Sequence, residues 1–290
     1  TNYQWFCLSS VPKDLSLDGM KIVLDCSNGA AYKVAPRVLS ELGADVVPIG
    51  CSPNGKNINA NCGSTHPELL QATVKGVQAD LGIALDGDGD RLLMVDHEGN
   101  LIDGDQLLFL VANARHKVGD LQGPVVGTLM SNLGLEKALQ KRGIEFMRAN
   151  VGDRYVLEML QEHSGILGGE TSGHLICLDK TTTGDGLISA LQVLTEIRES
   201  GASLAELVAG MSRYPQTMVN VRVAVQPDLG AAAVQAAVQV AEDQLNDRGR
   251  VVLRASGTEP VVRVMIEGED AAEVKALADQ LAAAIRAAAA

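Results

Sequence analysis

Short apolar runs alternate with longer amphipathic stretches along most of the chain. Residues 21–25 (Lys-Ile-Val-Leu-Asp) are the first apolar run and residues 44–49 (Ala-Asp-Val-Val-Pro-Ile) the next. Between them, residues 30–42 carry a helical pattern that Gly43 stops. Strand, helix and strand in that order predict a parallel pair joined by a right-handed crossover. A polar loop rich in asparagine, glycine and cysteine follows, then a helix after Pro67, then an apolar strand at 81–85. Residues 91–96 and 101–102 predict a hairpin closed around Glu98-Gly-Asn100.

From Asp103 the rhythm restarts. A helix is expected over 105–115, a strand over 124–130, and a helix from a Ser131 cap to Arg142, ended by Gly143. A strand at 145–149, a helix at 154–163, a glycine-rich loop, a strand at 175–178 and a helix at 185–200 complete this part. After Arg213-Tyr-Pro215 the order changes to β-α-β-β-α. The strands fall near 218–225, 250–254 and 261–267, and the helices near 231–246 and from 270 onward. The expected fold class is therefore α/β: two successive doubly wound α/β domains, 1–103 and 104–213, followed by a smaller α+β domain, 214–290.

The strand at 81–85 runs straight into Asp86-Gly-Asp-Gly-Asp-Arg91. Three carboxylates this close repel one another, so a cation must offset them or water must screen them. Carboxylate oxygens are hard ligands suited to Mg²⁺ or Ca²⁺, and the intervening glycines let the backbone curl so that alternate side chains converge. The acids also stand where a strand leaves the sheet, the usual ligand position in open α/β folds. An EF-hand does not fit: its turn glycine would fall on Arg91 and its bidentate glutamate on His97, and a strand enters the loop. A solvated acidic turn is the plainer alternative, since Asp-Gly pairs are ordinary turn residues.

Three further stretches carry chemistry. Arg254-Ala-Ser-Gly-Thr-Glu-Pro260, with Arg263 beyond it, offers two arginines, the Ser256 and Thr258 hydroxyls and backbone N–H groups around Gly257, a set suited to phosphate. Gly168-Gly-Glu-Thr-Ser-Gly-His174 presents Glu170, Ser172 and His174 on a loop after a strand. Carboxylates and small polar groups of this kind bind sugar hydroxyls, and an ordinary turn is the alternative. Val151-Gly-Asp-Arg-Tyr155 places Asp153 as the expected cap of a helix whose start, bearing Arg154, suits an anion. Ser64-Thr-His66 invites a nucleophile reading, but neighbours in sequence need not face each other, and the segment also makes a helix lead-in.

Composition narrows the field. The chain has 290 residues, 46% hydrophobic, and a net charge of −12, which argues against a nucleic-acid surface but not against small phosphorylated ligands. No apolar run approaches the roughly 20 residues of a membrane span, and no secretory signal pattern opens the chain. Five cysteines, an odd number without a C-x-x-C pair, fit a reducing cytoplasm better than a disulfide framework or a zinc site. The chain opens on Thr1 without an initiator methionine, which suits a segment of a longer protein.

Taken together, these motifs resemble those of the α-D-phosphohexomutases. Asp86 to Arg91 resembles the family's metal loop, Gly169 to His174 its sugar-binding loop, with Thr171 where glutamine or methionine is commoner, and Arg254 to Pro260 its phosphate-binding loop. Asn61-Cys-Gly-Ser-Thr-His-Pro-Glu68, Met130-Ser-Asn-Leu-Gly134 and Val151 to Val156 favour its glucosamine branch. The resemblance implies interconversion of glucosamine 6-phosphate and glucosamine 1-phosphate through a phosphoserine and a bisphosphate intermediate, supported by Mg²⁺. It implies that Asp86, Asp88 and Asp90 hold the metal and that Arg91 sits near the transferring group. Glu170 and Ser172 would grip the sugar, with Asp153 and Arg154 as further substrate-binding candidates and His174 as a candidate for proton transfer. Arg254, Ser256, Gly257, Thr258 and Arg263 would hold the phosphate that is not reacting. Family members have four domains and often form homodimers, so a homodimer is among the expected assemblies.

The chain matches only the second, third and fourth of those domains, and the phosphoserine, itself a metal ligand, belongs to the first. The expectation is therefore a fragment, natural, engineered or proteolysed, that is inactive alone and binds Mg²⁺ weakly. A non-catalytic sugar-phosphate binding protein and a mutase acting on mannose or glucose phosphate are the alternatives.

Overall fold

Leu81–Leu85 (β3) is buried at every residue, as a strand covered on both faces must be. It lies beside Lys21–Asp25 (β1), and β1 lies beside Asp45–Ile49 (β2), both pairings parallel. Leu92–Asp96 (β4) and Leu101–Ile102 (β5) add antiparallel, giving the order β2-β1-β3-β4-β5. Side chains alternate between the two faces. Val23 and Ala84 meet Leu70 and Val74 of the helix Glu68–Val77 (α3). Ile22, Leu24, Ile83 and Leu85 point to the opposite core, with Val38 and Leu39 of Val34–Glu41 (α2). Gly82 lets α3 close in: a Cβ there would lie 2.7 Å from Val74 Cγ2. The structure, a computed structural model, describes residues 2–224, 228–257 and 259–289.

The helix expected over 30–42 is two pieces, a 3₁₀ turn at Ala30–Tyr32 and then α2. The Ala30 N–H is committed to Gly87 O at 2.8 Å, so this end of the segment is shaped by the acidic loop and not by helix propensity. The helix Asn2–Ser9 (α1) was not expected. Its sequence has no apolar period, and Cys7 is its buried residue.

The second sheet shares a core with the first. Gly104–Val118 (α4) starts with a capping box in which Asp103 accepts from the Gln106 N–H and Gln106 accepts from the Asp103 N–H. Then come Val125–Thr128 (β6), Leu133–Gln140 (α5), Phe146–Ala149 (β7), Asp153–Glu162 (α6), Leu167–Gly169 (β8), Leu175–Cys177 (β9), Gly186–Ser200 (α7) and Leu204–Val208 (α8). The order is β7-β6-β8-β9, with β6 parallel to its neighbours and β9 antiparallel to β8. Phe109, Leu107, Leu191 and Leu194 bury fully between the layers. The glycine-rich stretch begins inside β8, so the loop proper starts at Glu170.

These elements, apart from the first two residues of α5, form one unit. A second unit comprises residues from Ser212 onward together with Asn132–Gly134. Within it, the Asn132 side chain accepts from the Tyr214 N–H at 2.9 Å and donates to the Tyr214 carbonyl at 3.0 Å. Gln216–Arg222 (β10), Gly249–Ala255 (β11) and Val261–Gly268 (β12) form an antiparallel sheet in the order β10-β12-β11. Ala232–Leu245 (α9) and Ala271–Ala288 (α10) cover one face, where Val262, Val264 and Ile266 meet Val274, Leu277 and Leu281. The first strand expected here, 218–225, starts two residues earlier and ends at Arg222, and Val225 lies outside the described residues. Among the described residues no helix is long and apolar enough to cross a membrane.

Replacing Asp103 by alanine removes the side-chain acceptor at the start of α4. The expected cost is about 1 kcal/mol of stability, read as a lower urea midpoint at unchanged m-value.

Candidate functional site

Asp86, Asp88 and Asp90 follow β3 directly, and one oxygen from each lies within 4.8 Å of the others. A Mg²⁺ ion with oxygen ligands at about 2.1 Å holds neighbouring ligand oxygens roughly 3–4 Å apart. The triad therefore fits a hard cation with small adjustments. Asp86 is buried at 8% exposure, whereas Asp88 is exposed. Burial pushes the Asp86 carboxyl up to about 6, the Arg91 N–H at 3.1 Å pulls it down, and the charges of Asp90 and Asp88 push it up again. Arg91 Nε stands 3.8 Å from Asp86 Oδ2, with its side chain half exposed.

The loop is held from below by a buried acid. Asp25, 0% exposed, accepts from the Ser27 N–H at 2.9 Å and the Gly63 N–H at 2.7 Å. Ser27 Oγ donates to Leu85 O at 2.6 Å, and the Ser64 N–H donates to the same carbonyl at 3.1 Å. Both chain segments are thus fastened to the last residue before Asp86. Gly29 packs against Gly87, where a Cβ would lie 2.1 Å from Gly87 O. Ser64 is buried in this scaffold while His66 is exposed, with its Nδ1 3.4 Å from Thr65 Oγ1, so the two do not form a nucleophile and base.

The second loop meets the first edge to edge. The Leu92 N–H donates to Gly173 O at 2.9 Å, and Arg91 and His174 form an antiparallel bridge. His174 is buried, and its Nε2 lies 3.3 Å from Asp90 Oδ2 and 3.8 Å from Asp153 Oδ2. A proton on Nε2 would face both carboxylates, and among the described residues the buried Nδ1 has no hydrogen-bond partner. Thr171 Oγ1 donates to the buried Asp105 Oδ2 at 2.8 Å, and the Gly104 N–H donates to Thr171 O at 3.0 Å, tying this loop to the start of α4. Ser172 lies between these anchors.

Asp153 is the first residue of α6 and not its cap. The cap position is Gly152, at φ +129°, which has no side chain to cap with. The N–H of that position is satisfied from another element: Glu170 Oε1 accepts it at 3.0 Å. Glu170 therefore joins the glycine-rich loop to α6, and the Asp153 carboxylate is left facing His174. Arg154 is exposed and paired with Glu158, one turn on, at 2.8 Å.

The start of α7 touches both loops, which sequence reading took for a plain helix start. Gly184 lies under the His174 ring, where a Cβ would come within 2.3 Å of Nε2. Asp185 caps α7 by accepting the Ile188 N–H at 2.9 Å and also accepts from the Tyr3 hydroxyl at 2.8 Å. The Gly186 N–H donates to Gly89 O, between two of the acids, at 2.9 Å. The run Gly184-Asp185-Gly186 was the available signal: glycine on both sides of a cap residue marks close backbone approach.

In the second unit, Arg254 of β11 and Arg263 of β12 stand directly opposite each other. Like charges in that position destabilise a sheet unless something neutralises them. No hydrogen bond or ion pair to either is found among the described residues. Ser256 Oγ accepts the Glu259 N–H at 3.3 Å, Gly257 is exposed, and Thr258 lies outside the described residues. A cavity of about 480 Å³ opens here, lined by Arg263, Glu259, Pro260 and Val261 and also by Asn220 and Arg222. The last two were missed, because a lone polar residue on an alternating strand reads as an ordinary solvent-facing position.

Comparison with known proteins follows the same division. Residues 6–99, 103–214 and 218–284 match the family models described as phosphoglucomutase/phosphomannomutase alpha/beta/alpha domain II, alpha/beta/alpha domain III and C-terminal domain. A phosphoglucosamine mutase of Methylococcus capsulatus is 58% identical over 98% of this chain and 64% of its own length. One from Salmonella newport is 55% identical, with the same shares covered. The chain thus spans about 64% of the length of these curated relatives. Among solved structures, Aspergillus fumigatus N-acetylphosphoglucosamine mutase in complex with GlcNAc-6P and magnesium superposes with a TM-score of 0.82 at 21% identity, covering 99% of this chain and 66% of that one. A family protein from Burkholderia thailandensis gives 0.79 at 24% identity, covering 99% and 64%. At those identities the likeness is one of fold.

A metal on the triad must displace the Asp86 proton. Apparent Mg²⁺ affinity is expected to be level above the Asp86 value of about 6 and to fall as pH drops through it, by about tenfold per pH unit at the limit of one proton released. Calorimetric titration between pH 5 and 8 checks this. Affinity that stays level down to pH 5 would contradict it.

Proposed function

The chain belongs to the phosphoglucomutase/phosphomannomutase family, and we propose that it is the larger part of a phosphoglucosamine mutase that interconverts glucosamine 6-phosphate and glucosamine 1-phosphate. The observation that carries this reading is 58% identity to a protein of that name across 98% of the chain. The three models matched are domains II, III and IV, and the reading assigns the phosphoserine nucleophile to the remaining domain of the family architecture.

Phosphoryl transfer asks for positioning and charge neutralisation more than for covalent chemistry. In this reading Asp86, Asp88 and Asp90 hold Mg²⁺, which supplies positive charge to the phosphoryl group in transit. Arg91, anchored through its own N–H to Asp86 and with its guanidinium half exposed, adds a second cation that can swing towards that group. The proton on His174 Nε2 faces Asp90 and Asp153, so the imidazole is placed to pass a proton to or from a hydroxyl bound between them. Glu170, steadied by the Gly152 N–H, keeps a second carboxylate oxygen for a sugar hydroxyl. Ser172 adds a small polar contact, and Asp153 and Arg154 flank the opening. Arg254, Ser256, Gly257, Thr258 and Arg263 hold the phosphate that is not being transferred.

The test is turnover. The purified chain with Mg²⁺, glucosamine 6-phosphate and a trace of the 1,6-bisphosphate is expected to form no 1-phosphate by ³¹P NMR. Adding the phosphorylated first domain of a close relative is expected to start the reaction, faster with glucosamine 6-phosphate than with mannose or glucose 6-phosphate. Preferred turnover of mannose or glucose phosphate would refute the substrate, and turnover by the chain alone would refute the assignment of the nucleophile.

A further inference from the structure

The alternate positions on the sheet face opposite α9 and α10 line up in rows across the three strands. Strand register places Gln216, Glu267 and Arg250 in one row, Met218, Met265 and Val252 in the next, and Asn220, Arg263 and Arg254 in the third. Arg222 follows two residues beyond Asn220, opposite Val261. The two ends of this surface differ in charge balance. At the first, Glu267 is 0% exposed and pairs with Arg250 and, at 3.3 Å, with Gln216. At the other, Arg222 and Arg263 line the cavity and Arg254 stands opposite Arg263, and no hydrogen bond or ion pair to any of the three side chains is found among the described residues. Glu259 lines the same cavity without pairing to them.

Three guanidiniums within about two strand spacings repel one another. A sheet that balances arginine with a buried glutamate at one end and leaves three arginines unbalanced at the other is built for an anion at the second. We propose that Arg222, which lies outside the recognised phosphate-loop motif, is a third cationic ligand of a phosphate monoester dianion bound in this cavity. Asn220 donates from the strand position between Arg222 and Met218. This rests on the reading of Arg254 and Arg263 as phosphate ligands and extends it across β12 to β10. Arg254 and Arg263 grip the anion from adjacent strands. Arg222, more exposed and on a flexible stem, closes on it from the far side and matches the second negative charge, which a phosphate ester carries above a pH of about 6.

The experiment is titration of the chain with inorganic phosphate at pH 8 and 50 mM NaCl, followed by ³¹P NMR, for the native sequence, Arg222→Gln, Arg222→Lys and Arg254→Gln. Arg222→Gln is expected to weaken binding roughly tenfold, about the worth of one charge-assisted hydrogen bond. Arg222→Lys is expected to recover part of that, and the difference from the native chain should shrink at 0.5 M NaCl, where an exposed charge is screened. Because Arg222 is exposed and has no partner among the described residues, and its removal relieves repulsion, Arg222→Gln should melt no lower than the native chain, which separates ligand loss from misfolding. Native affinity in Arg222→Gln alongside weakened binding in Arg254→Gln would overturn the role of Arg222 and leave the loop reading standing. Equal binding by all four proteins, or by none, would overturn both.

Discussion

Three carboxylates held at the end of one strand set the terms for the rest of the first unit. Left to themselves, Asp86, Asp88 and Asp90 would spread apart, since each raises the cost of ionising its neighbours. The fold prevents this through backbone contacts that side chains could not make. Gly29 presses on Gly87, Gly186 donates to Gly89, and the buried Asp25 fastens Ser27 and Gly63, whose segments hold the Leu85 carbonyl. Repulsion is thus stored in a loop whose path is fixed from both sides. The groups of the chain nearest to these carboxylates, the Arg91 guanidinium and the His174 ring, lie at its edge. The Asp86 carboxyl is pushed up first by burial and further by the charges of Asp90 and Asp88, against the pull of the Arg91 N–H.

The start of α7 joins this loop to the next. Gly184 lies under His174, Asp185 caps the helix and takes the Tyr3 hydroxyl, and Gly186 reaches Gly89. Three consecutive residues therefore set the height of the histidine, the start of a buried helix and the middle of the acidic loop. A shift of α7 would move His174 and Asp90 together, keeping the imidazole proton against the carboxylate that it faces. Thr171 adds a tie to α4 through the buried Asp105. The loop at 170–174 is consequently fixed at its Thr171 and Gly173 backbone, while Ser172 between them is free of these ties.

Much of this was legible before any coordinates. The apolar run 81–85 ending in alternating Asp and Gly could hardly be anything but a buried strand opening into a polar turn, and the β-α alternation fixed the layer order. What stayed hidden follows a pattern. The Ala30–Tyr32 turn replaced a helix because Ala30 had a long-range backbone partner, Gly87, which local periodicity does not register. Asp153 read as a cap because aspartate before a helical run usually is one. The cap position fell one residue earlier, on Gly152, and its amide was satisfied by Glu170 from another element. The helix α1 lacks an apolar stripe. Arg222 carries no motif in the sequence, and strand register sets it opposite Val261 and diagonal to Arg263, which faces Arg254. In each case the deciding contact joins residues far apart in sequence.

The overall charge of −12 looks unsuited to the phosphorylated ligand proposed above. The conflict disappears once distance is considered. At physiological ionic strength, potentials decay over about 8 Å, so an incoming phosphate senses the cluster it approaches and not the sum over the molecule. Arg222, Arg254 and Arg263 have no carboxylate paired with them among the described residues, so their local field is positive whatever the total. The acidic triad is the opposite case, a local negative field ready for a cation. Each unit carries its unbalanced charge at a strand end, where backbone geometry rather than side-chain pairing holds the like charges close. Fuller internal pairing would stabilise the fold but cancel the local field, so the binding proposed for these strand ends depends on the charge that the described residues leave unbalanced.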